Sequence, residues 1–94
     1  MSVTSGWKKL VELLNESESK AEIDQFLNFI LTDEEKVQLA KRVLLTNYLL
    51  FSNKTQRKIA EELGVSLTTI TRCSNLLKHT PDEMKERFDF DTKK

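Results

Sequence analysis

Apolar positions recur along this chain at helical spacing almost from end to end. Trp7, Leu10, Val11 and Leu14 mark one face of a first helix. A polar break follows from Asn15 to Lys20. Ile23, Phe26, Leu27 and Ile30 then mark a second helix. Thr32 opens the word TDEE, a capping box in which Thr32 caps and Glu35 reaches back. That predicts a long third helix from Asp33 to about Phe51, ended by Ser52–Asn53. Its apolar residues (Val37, Leu39, Ala40, Val43, Leu44, Leu45 and Tyr48–Phe51) cover more than one stripe. A helix apolar over most of its circumference is buried on several sides. One small subunit can hardly surround it, so a dimer sharing one core is expected.

The stretch from Thr55 to Lys78 reads as two short helices about a tight glycine turn. The first runs from about Thr55 to Leu63, with Ile59, Ala60 and Leu63 inward. Gly64 suits a turn of positive φ, and Ser66 is a good N-cap for the second helix. That helix is expected to place Leu67, Ile70 and Leu77 inward, with Cys73 or Leu76 as further candidates. Its other face is rich in threonine and bare of carboxylates. Two helices at a steep angle about such a turn form a helix-turn-helix, whose second helix fits the DNA major groove. Thr80-Pro81-Asp82-Glu83 starts a last helix, with Pro81 at its first position and Met84 and Phe88 inward. Residues 91–94 are expected to fray.

Composition narrows the classes. Ninety-four residues make one domain, 1–94, with the helix-turn-helix at about 55–78. The lone cysteine excludes an internal disulfide and suits a reducing cytosol. No apolar run is long enough to span a membrane, and the N-terminus lacks a signal-peptide core. Net charge is zero, but its distribution is uneven. Residues 1–51 carry six Lys/Arg against eight Asp/Glu, and 81–94 carry four against five. Residues 52–80 carry five (Lys54, Arg57, Lys58, Arg72, Lys78) against Glu61 and Glu62. Counterion release from DNA phosphates needs local positive charge rather than a basic protein.

Catalysis finds little support. His79 and Cys73, the only histidine and cysteine, lie six apart and off one helical face. No Gly-rich phosphate loop, metal-ligand spacing or pair of carboxylates in a cleft emerges, and Glu61-Glu62 reads as a solvated helix face, so neither an enzyme nor a metal site is expected. A protein-interaction module would put acidic or apolar residues on the second motif helix, where the threonines and Arg72 stand instead.

The words LTDEEKVQLAKRV, TQRKIAEELG and above all TITRCSNLLK resemble the Trp repressor, or tryptophan operon repressor, family. The family pattern for the last word is close to T-I-T-R-G-S-N-x-L-K, and this chain departs from it at Cys73. The resemblance runs from about Trp7 to Phe88. It implies an all-α, six-helix, intertwined homodimer with a helix-turn-helix, acting in the cytoplasm as a repressor of tryptophan biosynthesis genes. Its partners would be double-stranded operator DNA and L-tryptophan as corepressor, with no other cofactor and no membrane. Recognition helices about 34 Å apart would require a roughly palindromic operator. The alternative is a regulator of this type with a different ligand or none.

Residue by residue, the resemblance implies that Arg42 and Arg72 sandwich the indole, with Arg42 also meeting the carboxylate. A guanidinium plane stacks well on an aromatic face. Phe29, Leu31 and Thr32 match the turn whose backbone carbonyls, from the partner chain, receive the ammonium. Cys73 stands for a glycine and Leu76 for a serine in the ligand site. Overpacking and a lost polar partner together would weaken tryptophan binding by a factor on the order of 10 to 10³. On the DNA face, Gln56 matches a phosphate contact, and Arg57 a residue able to reach a guanine edge. Leu67, Thr68 and Thr71 match positions that approach bases, and Thr69 and Lys78 positions that reach phosphates. Ala60 stands where the family often has lysine, and Thr68 replaces a smaller residue, so the operator sequence is expected to differ.

Overall fold

The computed structural model describes residues 2–91. Its regular elements are six helices: α1 (Val3–Asn15), α2 (Lys20–Ile30), α3 (Asp33–Phe51), α4 (Gln56–Leu63), α5 (Leu67–Leu77) and α6 (Asp82–Glu86). No strand occurs among the described residues. All six expected helices are therefore present, with ends shifted by a residue or two. Asp91 has no regular structure, and the fraying expected for 92–94 lies outside the described residues.

The caps explain the boundaries. Ser2, Ser19, Thr55 and Ser66 each accept a backbone N–H from the first turn of α1, α2, α4 and α5. At α3, Glu35 N–H donates to Thr32 Oγ1 (3.1 Å), and Thr32 N–H donates to Glu35 Oε1 (2.9 Å). This is the reciprocal pair that TDEE encodes. Gly64 ends α4 at φ 64° and ψ 41°, and its N–H donates to the Ala60 carbonyl at 2.9 Å. Pro81 sits at the N-cap of α6 rather than at its first helical position, and caps with no side-chain bond.

The chain divides into two compact units, Met1–Lys36 and Val37–Lys94. In the first, α1 and α2 bury no residue fully. Lys36 fastens the first turn of α3 to α2 by donating to Asn28 Oδ1 at 2.7 Å. Val3, Trp7, Val11, Phe29 and Ile30 remain at least half exposed.

The second unit has a true core of Leu45, Ile59, Ile70 and Cys73, each at most 2% exposed. Tyr48, Leu49, Ala60, Leu63 and Val65 pack against it. Leu67 is 53% exposed, so the expectation that it points inward fails: at the first position of α5 it lies on the outer face. Leu76 is exposed too, and Cys73 takes the inward place. Met84, expected inward, is also exposed, whereas Phe88, beyond the end of the five-residue α6, is half-buried. Within α3, polar residues take part in the burial. Thr46 and Asn47 are 7% and 5% exposed, side by side with Leu45.

Candidate nucleic-acid interface and ligand cleft

α4 and α5 pack on one another about Gly64, the one residue with positive φ among those described. Capping by Thr55 and Ser66 fixes where each begins, and the left-handed glycine fixes the angle between them. The buried side of α5 is Ile70 and Cys73. Its solvent side carries Leu67, Thr68, Thr71, Arg72, Asn75 and Leu76, none of them acidic. Gln56 and Arg57 are exposed on the first turn of α4, and Lys78 at the end of α5.

The threonines are not equivalent. Thr71 Oγ1 donates to the Leu67 carbonyl at 3.0 Å. Its proton is thereby committed, and the lone pairs stay open to a donor on a base edge. Thr69 is half-buried, with Oγ1 2.9 Å from Ser66 Oγ. It borders an inner cleft. Ala60 is half-buried against the core.

That cleft, about 260 Å³, lies within the second unit and is lined by Gln38, Leu39, Lys41, Arg42, Leu45, Val65 and Thr69. Arg42 and Lys41 bring two cations, Leu39, Leu45 and Val65 an apolar wall. Lys41 Nζ approaches the Gly64 carbonyl at 3.5 Å. Arg72, Cys73 and Leu76 are not part of the lining. Arg72 and Leu76 are exposed, whereas Cys73 is turned into the core. Its Sγ lies 3.7 Å from Thr46 Oγ1. Thr46 Oγ1 also donates to the Arg42 carbonyl at 2.8 Å, so the thiol is the donor in that contact.

Phe29 and Thr32 are exposed and Leu31 half-buried, all in the first unit, where Leu31 is the C-cap of α2. Sequence reasoning overlooked Lys41, Val65 and Thr46. For Lys41 the signal was its place beside Arg42; for Val65 and Thr46 no sequence signal stood out.

A second cation-bearing region joins the helix-turn-helix to α3. Lys54 donates to both Glu62 carboxylate oxygens (2.8 and 3.0 Å) and lies 5.0 Å from the centre of the Tyr48 ring. The hydrogen bond with Glu62 raises the Lys54 pKa, and the same bond lowers that of Glu62. No cluster of metal-ligating side chains occurs among the described residues.

The chain matches the family described as Trp repressor protein over residues 5–90. The chain belongs to the Trp repressor family. It is 41% identical to the Trp operon repressor homolog of Photobacterium profundum, over 85% of this chain and 78% of that protein. It is 37% identical to a homolog from Vibrio vulnificus, over 88% of this chain and 81% of that one. The homolog of Chlamydia caviae is 37% identical, over 87% and 81%. Trp repressors are DNA-binding, tryptophan-responsive transcription repressors and not enzymes. The helix-turn-helix of this Trp repressor family member is thus its DNA-binding element, and no described helix is long and apolar enough to cross a membrane.

Proposed function

We propose that this chain acts in the cytoplasm as a homodimeric repressor of tryptophan biosynthesis genes, with L-tryptophan as corepressor. The observation that carries the DNA reading is the solvent face of α5, free of carboxylates and bearing Thr68 and Thr71, with Arg57 exposed on the first turn of α4. In this reading α5 enters the major groove. Thr68, Thr71 and Leu67 meet base edges, Arg57 pairs with a guanine, and Gln56 and Lys78 hold phosphates. Thr69, in the first turn of α5, is read as a further phosphate contact.

The corepressor takes the cleft at Arg42. At about 260 Å³ it is near the low end for small-molecule sites. Arg42 receives the carboxylate and the apolar wall receives the ring. Arg72 and Leu76 of α5, outside the lining in the single chain, meet the ligand at its open side, Cys73 stays turned into the core behind α5, and the Phe29–Thr32 turn of a partner chain closes the site. The exposed apolar residues of α1 and α2 support a dimer, since a second copy would cover them. Tryptophan then favours the DNA-competent arrangement only by its differential affinity for it.

Calorimetric titration of the purified protein with L-tryptophan, with and without a selected palindromic DNA, tests this. Saturable binding that strengthens DNA affinity is expected. No heat at millimolar ligand with DNA binding intact would remove the corepressor and leave the alternative regulator. Arg57→Ala should lose about 1–3 kcal/mol of discrimination at one base position. A loss equal on all DNA sequences would argue against base readout.

A further inference from the structure

We infer that Lys41 is a second carboxylate-reading cation of the cleft and a link from bound ligand to the helix-turn-helix. The inference rests on the cleft being the corepressor site. Lys41 and Arg42 both line it, Gln38 lies one turn before them, and no Asp or Glu is in the lining. The cleft therefore offers two positive charges and no negative one. An anion entering it meets attraction from both, in a partly desolvated setting where such attraction is strengthened.

The Lys41 stem is half-buried, which limits where its ammonium can go. Nζ rests 3.5 Å from the Gly64 carbonyl, at the outer limit of a hydrogen bond. That carbonyl belongs to the C-terminal end of α4, where partial negative charge collects. An ammonium has three donors, and one long bond to Gly64 leaves the others for a ligand carboxylate. Gly64 is also the left-handed residue that sets the angle between α4 and α5. A carboxylate on Lys41 is thereby joined through one ammonium to the pivot of the reading head. The fitting ligand class is a carboxylate on an apolar ring system, its charge at Lys41 and Arg42 and its body against Leu39, Leu45 and Val65.

The test compares L-tryptophan with its neutral carboxamide by calorimetry on wild type, Lys41→Gln, Lys41→Met and Lys41→Arg. Wild type should prefer the carboxylate. Both neutral variants should cut that preference about tenfold, and Lys41→Arg should keep most of it. The gain in operator affinity produced by saturating tryptophan should also shrink in the neutral variants. An unchanged carboxylate preference in Lys41→Gln and Lys41→Met overturns carboxylate reading, and an unchanged gain overturns the link to the turn. A purely structural Lys41 would lower the melting temperature and leave both ratios untouched. Wild type that binds neither compound overturns the cleft as ligand site, a different failure from the other two.

Discussion

Asn47 shows how much one polar residue can organise inside an apolar helix. It is 5% exposed and donates from Nδ2 to the carbonyls of Phe88 (2.6 Å) and Phe90 (3.1 Å). The segment after α6 is held to α3 by those two bonds. Asn47→Ala should cost about 1–3 kcal/mol and leave both carbonyls without this partner. Denaturant unfolding would show the loss, and hydrogen exchange over residues 84–91 should accelerate more than over α4. Neither this role nor that of Thr46 was legible in the sequence, because both residues sit where helical periodicity reads as a gap between apolar stripes. Cys73 was half legible. Its burial follows from its spacing of three from Ile70, but its contact with Thr46 depends on how α5 lies against α3. The site residues divide in the same way. Arg42 and Lys41 both line the cleft, and Lys41 had its place beside Arg42 as a signal, but its approach to Gly64, 23 positions along the chain, follows no local spacing rule.

Among the elements, the helices themselves were the most legible part, since five of the six begin with a side-chain cap that the sequence displays. The link from α3 to α4 was not. Lys54 and Glu62 are eight apart, and no local spacing rule pairs them. Their ion pair, with side chains about a third exposed, holds the link to the far end of α4. Glu62 is depressed below its ordinary 4.5, so its contribution is present above that pH and fades as pH falls through the lowered folded value. Lys54 is raised above its ordinary 10.5, so its contribution is present below that pH and fades as pH rises through the raised value. Stability supplied by the pair should form a plateau between those limits. Glu62→Gln should flatten the acid limb of a stability-against-pH curve measured at low salt. High salt should shrink the difference between wild type and variant, because exposed pairs are screened.

At the scale of the molecule, the two units differ in what they can do alone. Residues 37–94 contain a buried core, whereas α1 and α2 bury nothing completely. Val43 and Phe51 of α3 are also exposed at 44% and 45%. An all-helical fold follows from periodicity and from the scarcity of glycine and proline. The proposed dimer rests instead on apolar surface that one chain leaves uncovered. Trp7, the sole tryptophan, reports on it, being 66% exposed in the single chain. In a dimer that covers α1, the ligand-free protein should fluoresce at shorter wavelength than a solvent-exposed indole. Dilution should move the emission red in step with a fall in mass by analytical ultracentrifugation. A red-shifted spectrum at every concentration, with monomeric mass, would remove the dimer.

The chain has two glycines, and drift will treat them unequally. A side chain added at Gly6 meets nothing within 4 Å, so that position is open to replacement, and alanine there favours the helix. At Gly64 the nearest obstacle, Lys41 Nζ at 3.6 Å, is no barrier either. What closes that position is the backbone itself, at φ 64°. Only asparagine and aspartate commonly tolerate that conformation, at a cost of about 1 kcal/mol. Descendants of this sequence can therefore vary Arg57, Thr68 and Thr71, the side chains proposed to read bases, while the hinge that presents them stays almost frozen.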